Sequence, residues 1–575
     1  MNRSLNTMHF QSTDAVALAC IFVVTLIVYR ALQHRSSSAR LPPGPLGIPI
    51  FGNIFQVSAL RPHPKFRAWA VKYGKIFYLR LGSQNIIVLN SPDAADELLG
   101  NRSSKYSSRA TPHVAHDIMS DGQRMVFKPY DKEWKTIRKS MQGVIGFHAS
   151  KQHRKNQELE SRVLLYDLLC HGDQSIREVQ TEGPNGGIPE RHWFAIIRRF
   201  TTSVALSILY GKRVHRLHNN PQLHKIYDVF GNFVRVAQPG NYLADTFPIL
   251  RTLPDVFAPW RVEAQRMHEW EMELWGGLLD DSVAALRGGI VRSGFIDRYL
   301  RARAEAGHEI APGKGLTDNG WMRDKLLAYA TGDVLEAGSD TTAGTIQAFI
   351  LFMLNYPHVL RRVREEVDEV IGAERMPNFE DEDNLPYLVA CIKETLRCRP
   401  PAMLGVPHRV DEDDTYEGYF IPKGSTIIGN VWAMHMNSHR FPDPDIFEPA
   451  RFHTTGEPTK WGGGPDALNR SHYVFGWGRR FCQGSYVAEA SLFIALSRLI
   501  WGIDISAPVD GLTGKQIIPD ISNEELTWSD GFINGPRLFG VRFNPRSEKH
   551  AKLIRDSYDD VQLEWQTMGL DGDER

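Results

Sequence analysis

The longest helical pattern of the chain limits its fold more than any other feature. It covers about residues 321–356 and ends at Pro357, because proline removes a backbone donor and clashes with the preceding turn. A helix of this length must cross the body of the molecule. Helical patterns dominate residues 130–400, with breaks at 183–187 and 239–240. The sequence therefore predicts a mostly helical domain.

Short strands are predicted on both sides of this helical region. Residues 76–89 form two strand patterns around Gly82 and Ser83, which indicates a hairpin. Strand and turn signals return at 415–424, and the glycine-rich stretch 454–470 is interpreted as a surface insertion. The predicted fold class is mainly α with small β-sheets.

The overall composition excludes several classes of protein. Hydrophobic residues are 42% and charged residues 23% of the 575-residue chain, which is ordinary for a globular protein and excludes a disordered chain. Basic and acidic residues number 67 each, so the balance gives no argument for nucleic acid as a partner. The five cysteines are too few for a disulfide framework and favour a reducing compartment.

An apolar run near the N-terminus predicts a single transmembrane helix. Residues 15–29 contain Thr25 as their only polar residue, and Ala31 and Leu32 extend the run if Arg30 reaches the interface. The run is short against the ~20 residues that span a bilayer. A cleaved signal peptide and a buried helix therefore remain as alternatives.

The charges that flank this run predict its orientation. Arg30, Arg35 and Arg40 follow the run, whereas Arg3 and Asp14 cancel before it, so the C-terminal bulk is expected on the cytoplasmic side. The predicted organisation is a lumenal N-terminus with a membrane anchor over 1–35, a Pro/Gly-rich hinge over 36–53, a main domain over 54–545 and a C-terminal tail over 546–575.

The chemistry is predicted by the segment Phe475-Gly476-Trp477-Gly478-Arg479-Arg480-Phe481-Cys482-Gln483-Gly484. A lone cysteine is usually buried and inert, but Cys482 lies at a loop-to-helix junction. Backbone N–H groups there can donate to a sulfur anion, and the helix N-terminus favours negative charge. Glycines let the backbone approach a flat ring closely. The segment therefore suits a thiolate metal ligand.

This segment resembles Phe-x-x-Gly-x-Arg-x-Cys-x-Gly, the heme-ligand signature of the cytochrome P-450 family. All five specified positions match. A chance match in a chain of this length is on the order of one in ten thousand. The resemblance implies the P-450 fold over about residues 40–545 and heme b as cofactor. It also implies Cys482 as the axial thiolate, with Phe475, Arg480 and Gly484 at the cofactor.

Other motifs occur in the family's order. Trp134 and Arg138 resemble the Trp-x-x-x-Arg helix that holds a heme propionate, although such a pair alone is usually a surface contact. His408 resembles a propionate-binding histidine, and its alternative is a structural role. Glu394 and Arg397 resemble the Glu-x-x-Arg helix, and Arg451 matches the third member of that ion-paired triad.

A motif inside the long helix implies oxygen chemistry. Residues 337–342 resemble the family's oxygen-activating motif, in which Asp340 and Thr341 would deliver protons to dioxygen. Gly338 costs about 1 kcal/mol relative to alanine in a helix interior. We expect a loosened turn beside Gly338 that leaves room for dioxygen. The alternative is a tolerated glycine among ordinary helix residues.

Electrons must come from another protein, because the chain has no Gly-x-Gly-x-x-Gly motif. The resemblance implies an NADPH-dependent cytochrome reductase, with cytochrome b5 as a second candidate donor. Lys132, Lys135 and Lys139 follow one face of the helix that carries Trp134. They form either a solvated charged face or a docking patch for an acidic redox partner.

The resemblance also implies a substrate and a location. The expected pocket residues are Ala337, Ala402, Met403, Leu404, Phe532 and Ile533. They are mainly apolar, so the predicted substrate is lipophilic, such as a terpenoid, polyketide or alkaloid core. The chain resembles fungal microsomal members of secondary metabolism, which implies the endoplasmic reticulum membrane. Two alternatives stay open: a heme-thiolate isomerase or dehydratase that uses no dioxygen, and a non-catalytic heme sensor or carrier.

Overall fold

The computed structural model describes residues 40–177, 188–189, 191–215, 217–218, 220–453, 461 and 470–567. The predicted anchor over 1–35 lies outside the described residues, as do most of the predicted insertion 454–470 and the last eight residues. Within the described ranges, no helix is both long enough and apolar enough to cross a membrane.

Helices form most of the described chain, which confirms the predicted class. The helices of eleven residues or more are α1 (His63–Tyr73), α2 (Lys132–Ile145), α3 (Arg154–His171), α4 (Trp193–Tyr210), α5 (Pro221–Ala237), α6 (Pro259–Arg287), α7 (Phe295–Glu305), α8 (Asp324–Asn355), α9 (Pro357–Val370), α10 (Pro386–Cys398), α11 (Ser485–Gly502) and α12 (Glu548–Thr567). Short helical turns lie between them, among them Asp96–Asn101, His113–Met119, Leu243–Thr246, Val431–His435, Pro449–Phe452 and Gly478–Arg480.

The strands form small sheets at the edge of the helical body. They are β1 (Ile76–Leu81), β2 (Gln84–Leu89), β3 (Ser108–Arg109), β4 (His408–Arg409), β5 (Asp414–Tyr416), β6 (Tyr419–Ile421), β7 (Thr426–Gly429), β8 (Ile503–Ser506) and β9 (Arg542–Pro545). One sheet has the order β1-β2-β7-β4-β3, and two-stranded sheets pair β5 with β6 and β8 with β9. The predicted hairpin is confirmed, since β1 and β2 are antiparallel with Leu81 opposite Gln84.

The long predicted helix is α8, which crosses the centre of the molecule. It contains 32 residues and packs against α4, α6, α10 and α11. Gly332 permits the contact with α6, because a Cβ at this position would lie 2.6 Å from the Trp275 ring. One stripe of α8, which includes Ala337 and Thr341, is not fully covered by protein, whereas most of its other side chains are buried.

The C-terminal end departs from its predicted form. The sequence predicts a tail over 546–575, but residues 548–567 form α12, which packs against α3 and α11. Trp565 is buried, and the Arg213 guanidinium lies 3.0 Å from the centre of its ring. Tyr558 stacks on Tyr166 of α3 at 3.8 Å. The helical pattern was present in the sequence, but its docking depends on residues far away in the chain.

Candidate functional site

Cys482 lies in a loop whose shape depends on glycine. The loop ends where α11 begins, and the Cys482 N–H donates to the Phe475 carbonyl over 2.9 Å. Gly478 has φ of 55°, and a Cβ there would lie 2.0 Å from the Leu99 carbonyl oxygen. No other residue type fits this position without moving the backbone. The backbone N–H groups of Gly484 and Ser485 donate to the Cys482 sulfur.

Polar and charged groups surround the Cys482 thiol. Burial raises its pKa, whereas the two backbone N–H donors and the Arg138 guanidinium act in the opposite direction. The side chain is nevertheless exposed, so protein surrounds the thiol without covering it. Within the described ranges, no three His, Cys, Asp or Glu side chains cluster in a way that could hold a metal ion.

Three arginines lie close to one another near Cys482, of which Arg109 and Arg480 are buried and Arg138 is half-buried. Burial lowers the pKa of Arg480 to about 8, of Arg109 to about 9 and of Arg138 to about 10, and repulsion between these guanidinium groups contributes for Arg480 and Arg109. His408 is also buried, and its pKa lies well below the usual range because of burial and the nearby Arg109. Unpaired buried cations are costly, so this arrangement calls for anions.

The contacts of these cations leave capacity for a ligand. Arg109 donates to the Val406 carbonyl, but its buried Nε has no hydrogen-bond partner among the described residues. The His408 Nδ1 lies 2.7 Å from the Tyr106 carbonyl, which it can bond only as a donor, so Nε2 accepts in the neutral ring and donates to an anion only when the ring is protonated. The two propionates of heme are the anions that such a set suits.

Trp134 and Arg480 connect the loop to α2. The Arg480 guanidinium lies 4.0 Å from the centre of the Trp134 ring, and the Arg138 guanidinium lies 5.7 Å from it. Arg480 also donates to the carbonyls of Ser107 over 2.6 Å and Lys128 over 2.5 Å. The predicted heme-binding residues Trp134, Arg138, His408 and Arg480 thus lie together with Cys482.

Arg109 was missed by the sequence reasoning. It lies opposite His408 in the pairing of β3 with β4, although the two residues are almost 300 positions apart. A strand of two residues leaves no usable periodicity in the sequence. No sequence motif marks this arginine, so tertiary pairing alone identifies Arg109.

Asp340 and Thr341 lie on α8 near the uncovered stripe. The Thr341 hydroxyl donates to the Ala337 carbonyl over 2.6 Å, and Ala337 is exposed within the helix. Asp340 forms an ion pair with Arg198 of α4. The expected loosened turn beside Gly338 is absent: α8 is continuous there, and a Cβ at Gly338 would make only an ordinary 3.6 Å contact with Ala205.

The three charged residues of the predicted triad are in contact. Arg397 donates from Nε and Nη2 to the two Glu394 carboxylate oxygens, each over 2.7 Å, and both side chains are fully buried. Arg451 Nε lies 3.4 Å from Glu394 Oε1. The Glu448 N–H donates to the same oxygen over 2.9 Å. Arg397 also donates to the His435 and Pro444 carbonyls, which joins α10 to the segment before the Cys482 loop.

The predicted pocket residues divide into two groups. Ile533 packs against an apolar cluster that includes Val114, Phe127 and Phe233, and the Phe532 ring lies 6.3 Å from that of Phe127. The same loop approaches α8, because a Cβ at Gly535 would lie 3.7 Å from Gly344.

The other predicted pocket residues lie in or near the wall behind this space. Ala402 is half-buried, and the Pro401 carbonyl beside it accepts the Asn534 N–H over 2.7 Å. Leu404 packs against a cluster under β1 and β2. Met403 is a correction: it is buried in a small core cluster with Trp432 and Met436 instead of lining a pocket. Its turn directs alternate side chains to opposite sides.

The three predicted docking lysines are exposed on α2. Lys132, Lys135 and Lys139 lie on the outer face of this helix, and the Lys135 ammonium lies 4.4 Å from the centre of the Tyr130 ring. Arg479, which precedes Arg480 in the Cys482 loop, is also exposed and donates to the Tyr130 hydroxyl over 2.7 Å. The Cys482 loop and the lysines therefore share one basic surface.

Comparison with known proteins identifies the family. The family model described as cytochrome P450 matches residues 42–507. The chain belongs to the cytochrome P450 family. It is 55% identical to cytochrome P450 monooxygenase 231 of Postia placenta, over 99% of this chain and 100% of the relative. It is 35% identical to cytochrome P450 monooxygenase virE of Hypocrea virens, over 95% and 94%.

Membership of the cytochrome P450 family also establishes the cofactor and the class of reaction. A third relative, cytochrome P450 monooxygenase verL of Clonostachys rogersoniana, is 31% identical over 96% of this chain and 95% of its own length. The chain is therefore a heme-thiolate oxidoreductase that incorporates oxygen from O2, as predicted. Residues 508–575, which include α12, lie beyond the matched family model.

Proposed function

We propose that Cys482 is the thiolate ligand of heme iron in a monooxygenase that hydroxylates a lipophilic small molecule. The observation that carries this proposal is the exposed Cys482 thiol close to Arg109 and Arg480, two buried cations that form no ion pair among the described residues. Arg109, Arg138 and His408 would hold the propionates. Phe475 and Gly484 would form the loop beneath the ring, and Arg480 would join that loop to the propionate side.

Heme held by the Cys482 thiolate would supply the activation of dioxygen. Residues of α8 would control the delivery of protons and the access of substrate. The Thr341 hydroxyl, which donates to Ala337 here, can turn to donate toward the uncovered stripe of α8. Asp340 can resupply a proton to that hydroxyl. The ion pair with Arg198 of α4 holds the Asp340 carboxylate in place beside Thr341.

We propose that the electrons come from an NADPH-dependent cytochrome reductase, with cytochrome b5 as a second donor. The support is the basic surface formed by Lys132, Lys135, Lys139 and Arg479 next to the Cys482 loop. Such a surface attracts an acidic partner and increases the rate of encounter. The attraction should weaken as salt increases, because exposed charges are screened.

The substrate is proposed to be a secondary metabolite such as a terpenoid, polyketide or alkaloid core. The support is the apolar character of the cluster beside α8, in which aromatic and aliphatic side chains predominate. Its members include Val114, Phe127, Phe230, Phe233, Val406 and Ile533. Apolar lining with few polar groups suits a lipophilic ligand.

A location at the endoplasmic reticulum membrane is also proposed, with the catalytic domain in the cytoplasm. Two neighbouring segments expose large apolar side chains, and the Phe51 ring lies 6.1 Å from that of Phe247. The exposed residues are Leu46, Ile48, Ile50, Phe51, Phe55, Leu243, Ile249, Val256 and Phe257. An apolar surface of this kind, close to residue 40 where an anchor would join, suits contact with lipid.

One pair of experiments tests this function. Cys482→His should abolish the red-shifted Soret band of the reduced carbonyl complex while the protein stays folded. If that band survives in the variant, Cys482 is not the ligand. Product formation from a metabolite extract should require NADPH, reductase and dioxygen together. Turnover without dioxygen would instead indicate an isomerase or dehydratase.

A further inference from the structure

One buried charge network lies apart from the groups used above. Arg124 is buried and donates to three carboxylates: Glu271 of α6, and Asp333 and Glu336 of α8. The Arg124–Asp333 distance is 3.1 Å, and Arg124 Nη2 lies 3.1 Å from the second Glu336 oxygen. We call these four residues the Arg124 latch.

The Arg124 latch joins the segment 113–128 to three helices. The Arg124 guanidinium lies 3.7 Å from the centre of the Phe233 ring of α5, which adds a third helix to α6 and α8. The Met125 N–H donates to Asp333 over 2.5 Å. On its other side, this segment accepts hydrogen bonds from Arg480 through the carbonyls of Met125 and Lys128. The segment is therefore held between α8 and the Cys482 loop.

The segment that the latch holds forms one wall of the proposed substrate pocket. It contributes Val114, Met119 and Phe127 to the same apolar cluster as Ile533. Asp333 precedes the exposed Ala337 by one helical turn, so the latch adjoins the uncovered stripe of α8. Movement of the segment would open the pocket between α8 and α5.

We propose that Arg124 is a positioning residue that closes this pocket wall, and that the excess of carboxylates over cations in the latch makes closure weaker as pH increases. The proposal rests on the assignment of the space beside Ala337 as the substrate pocket. Three carboxylates share one guanidinium, so full ionisation leaves an uncompensated buried negative charge.

The pKa values of the latch carboxylates agree with closure that weakens as pH increases. Burial raises the pKa of Glu271 and of Asp333, and the nearby Glu336 charge acts in the same direction. Each pKa reaches about 7, although the attraction of Arg124 lowers both. The charged or titratable neighbours on every element packed here are His268 on α6; Lys325 and Tyr329 on α8; His116, Asp117, Asp121 and Lys128 in the segment; and Lys314 in the loop before α8. α5 presents the uncharged Phe233.

The neighbouring cations do not neutralise the latch. Lys314 and Lys325 both pair with Asp121, and the Lys325 ammonium lies 2.9 Å from His268 Nε2. The Tyr329 hydroxyl donates to Glu271 over 2.7 Å but supplies no positive charge. The three carboxylates therefore depend on Arg124 and on bound protons.

The size of the effect follows from proton linkage. In the open state, in which the segment 113–128 has moved away from the helices, the Glu271 pKa falls from about 7 toward its usual value of 4.5. The closed state then binds more protons, so closure is favoured at low pH, weakens as pH rises to about 7, and changes little above that. For this one group, the open fraction should rise about tenfold between about pH 6 and pH 8.

The test uses the heme-loaded full chain and two readouts. Amide hydrogen exchange of residues 113–128, corrected for the intrinsic pH dependence of exchange, reports the open fraction of the segment. Association of carbon monoxide with the reduced heme after flash photolysis reports access to the pocket, and this probe has no ionisable group. Both rates should rise about tenfold across this pH range in the wild type.

The variants separate the latch from other causes. The double variant Glu271→Gln/Asp333→Asn keeps hydrogen-bonding groups of similar shape. In this variant, neither amide exchange of residues 113–128 nor carbon monoxide association should depend on pH. Glu269→Gln removes an exposed carboxylate from the same helix and should behave as the wild type. Arg124→Ala leaves three buried carboxylates without their cation and can prevent folding, so the neutral double variant decides the matter.

Three results would overturn the proposal: rates independent of pH in the wild type, unchanged pH dependence in the double variant, or exchange that responds while carbon monoxide association does not. A failure of the proposed function looks different. In that case the reduced carbonyl complex would lack the red-shifted Soret band altogether, at any pH and in every variant.

Discussion

Glu394→Ala should destabilise the fold severely, because this buried carboxylate forms the ion pair that compensates the Arg397 guanidinium. Glu394 accepts two hydrogen bonds of 2.7 Å from Arg397, one of 2.9 Å from the Glu448 N–H and the ion pair with Arg451 at 3.4 Å. Its loss leaves a fully buried guanidinium charge and an unpaired backbone donor. Removing one partner of such a pair costs about 3–5 kcal/mol.

The contacts that remain decide where in this range the cost falls. Arg397 keeps hydrogen bonds to the His435, Pro444 and Ile446 carbonyls, which continue to solvate its charge. We therefore expect about 4 kcal/mol, which lowers the ratio of folded to unfolded protein about a thousandfold. That loss is comparable with the whole stability of many domains, about 5–15 kcal/mol.

The assay is urea unfolding followed by circular dichroism, together with heme content per protein. Glu369→Ala on the neighbouring helix α9 removes an exposed carboxylate and serves as the matched control. The control should differ from the wild type by less than about 0.5 kcal/mol. A Glu394→Ala protein with wild-type heme content and an unfolding midpoint like that of the control would refute the argument from burial.

Four further predictions concern separate parts of the molecule. Thr341→Ala should keep heme and NADPH use while product per NADPH falls and hydrogen peroxide rises; unchanged coupling would remove Thr341 from proton delivery. Arg109→Leu should weaken heme affinity about 10–100-fold yet not destabilise the heme-free protein, because it relieves repulsion among buried cations; equal heme retention would contradict this. Trp565→Ala should cost about 3–5 kcal/mol in urea unfolding, since this buried ring docks α12; a loss below 1 kcal/mol, about the effect of a surface change, would mean that α12 is dispensable. Burial raises the Glu524 pKa, but hydrogen bonds from His63 and Arg399 outweigh it and lower the pKa to about 2, so the stabilisation is present above the usual value of 4.5 and is lost as pH falls toward 2. Glu524→Gln should therefore reduce stability at neutral pH and make unfolding less sensitive to acid. An acid unfolding curve like that of the wild type would show that the contacts of Glu524 with His63 and Arg399 do not contribute to acid unfolding.

The position of Asp340 refines the proton route that the sequence implied. The motif 337–342 predicts an acid beside an alcohol, and α8 does place Asp340 next to Thr341. The partner of the acid, Arg198, comes from α4 and has no signature in the sequence. Adjacent residues in a helix are determined locally, but their ion-pair partners are not.

Local features of the chain were sufficient for several predictions. The α8 helix, the β1–β2 hairpin and the Cys482 loop each depend on residues close together in sequence, because helix periodicity, turn residues and glycine backbone freedom act over a few positions. The spacing of Glu394 and Arg397 likewise puts both groups on one helical face. The helix period and the motif spacing together determined the fold class and the family.

Only the tertiary structure decided which distant side chains meet. Arg109 lies near Arg480 because β3 pairs with β4, and Arg124 meets Glu271 and Asp333 because α6 and α8 pack beside the segment 113–128. The same packing buries Met403 in the core and docks α12 on α3. Except for the Met403 cluster with Trp432 and Met436, these contacts join residues more than 100 positions apart. Loop closure over such distances is directed by burial of the whole core, which no local pattern encodes.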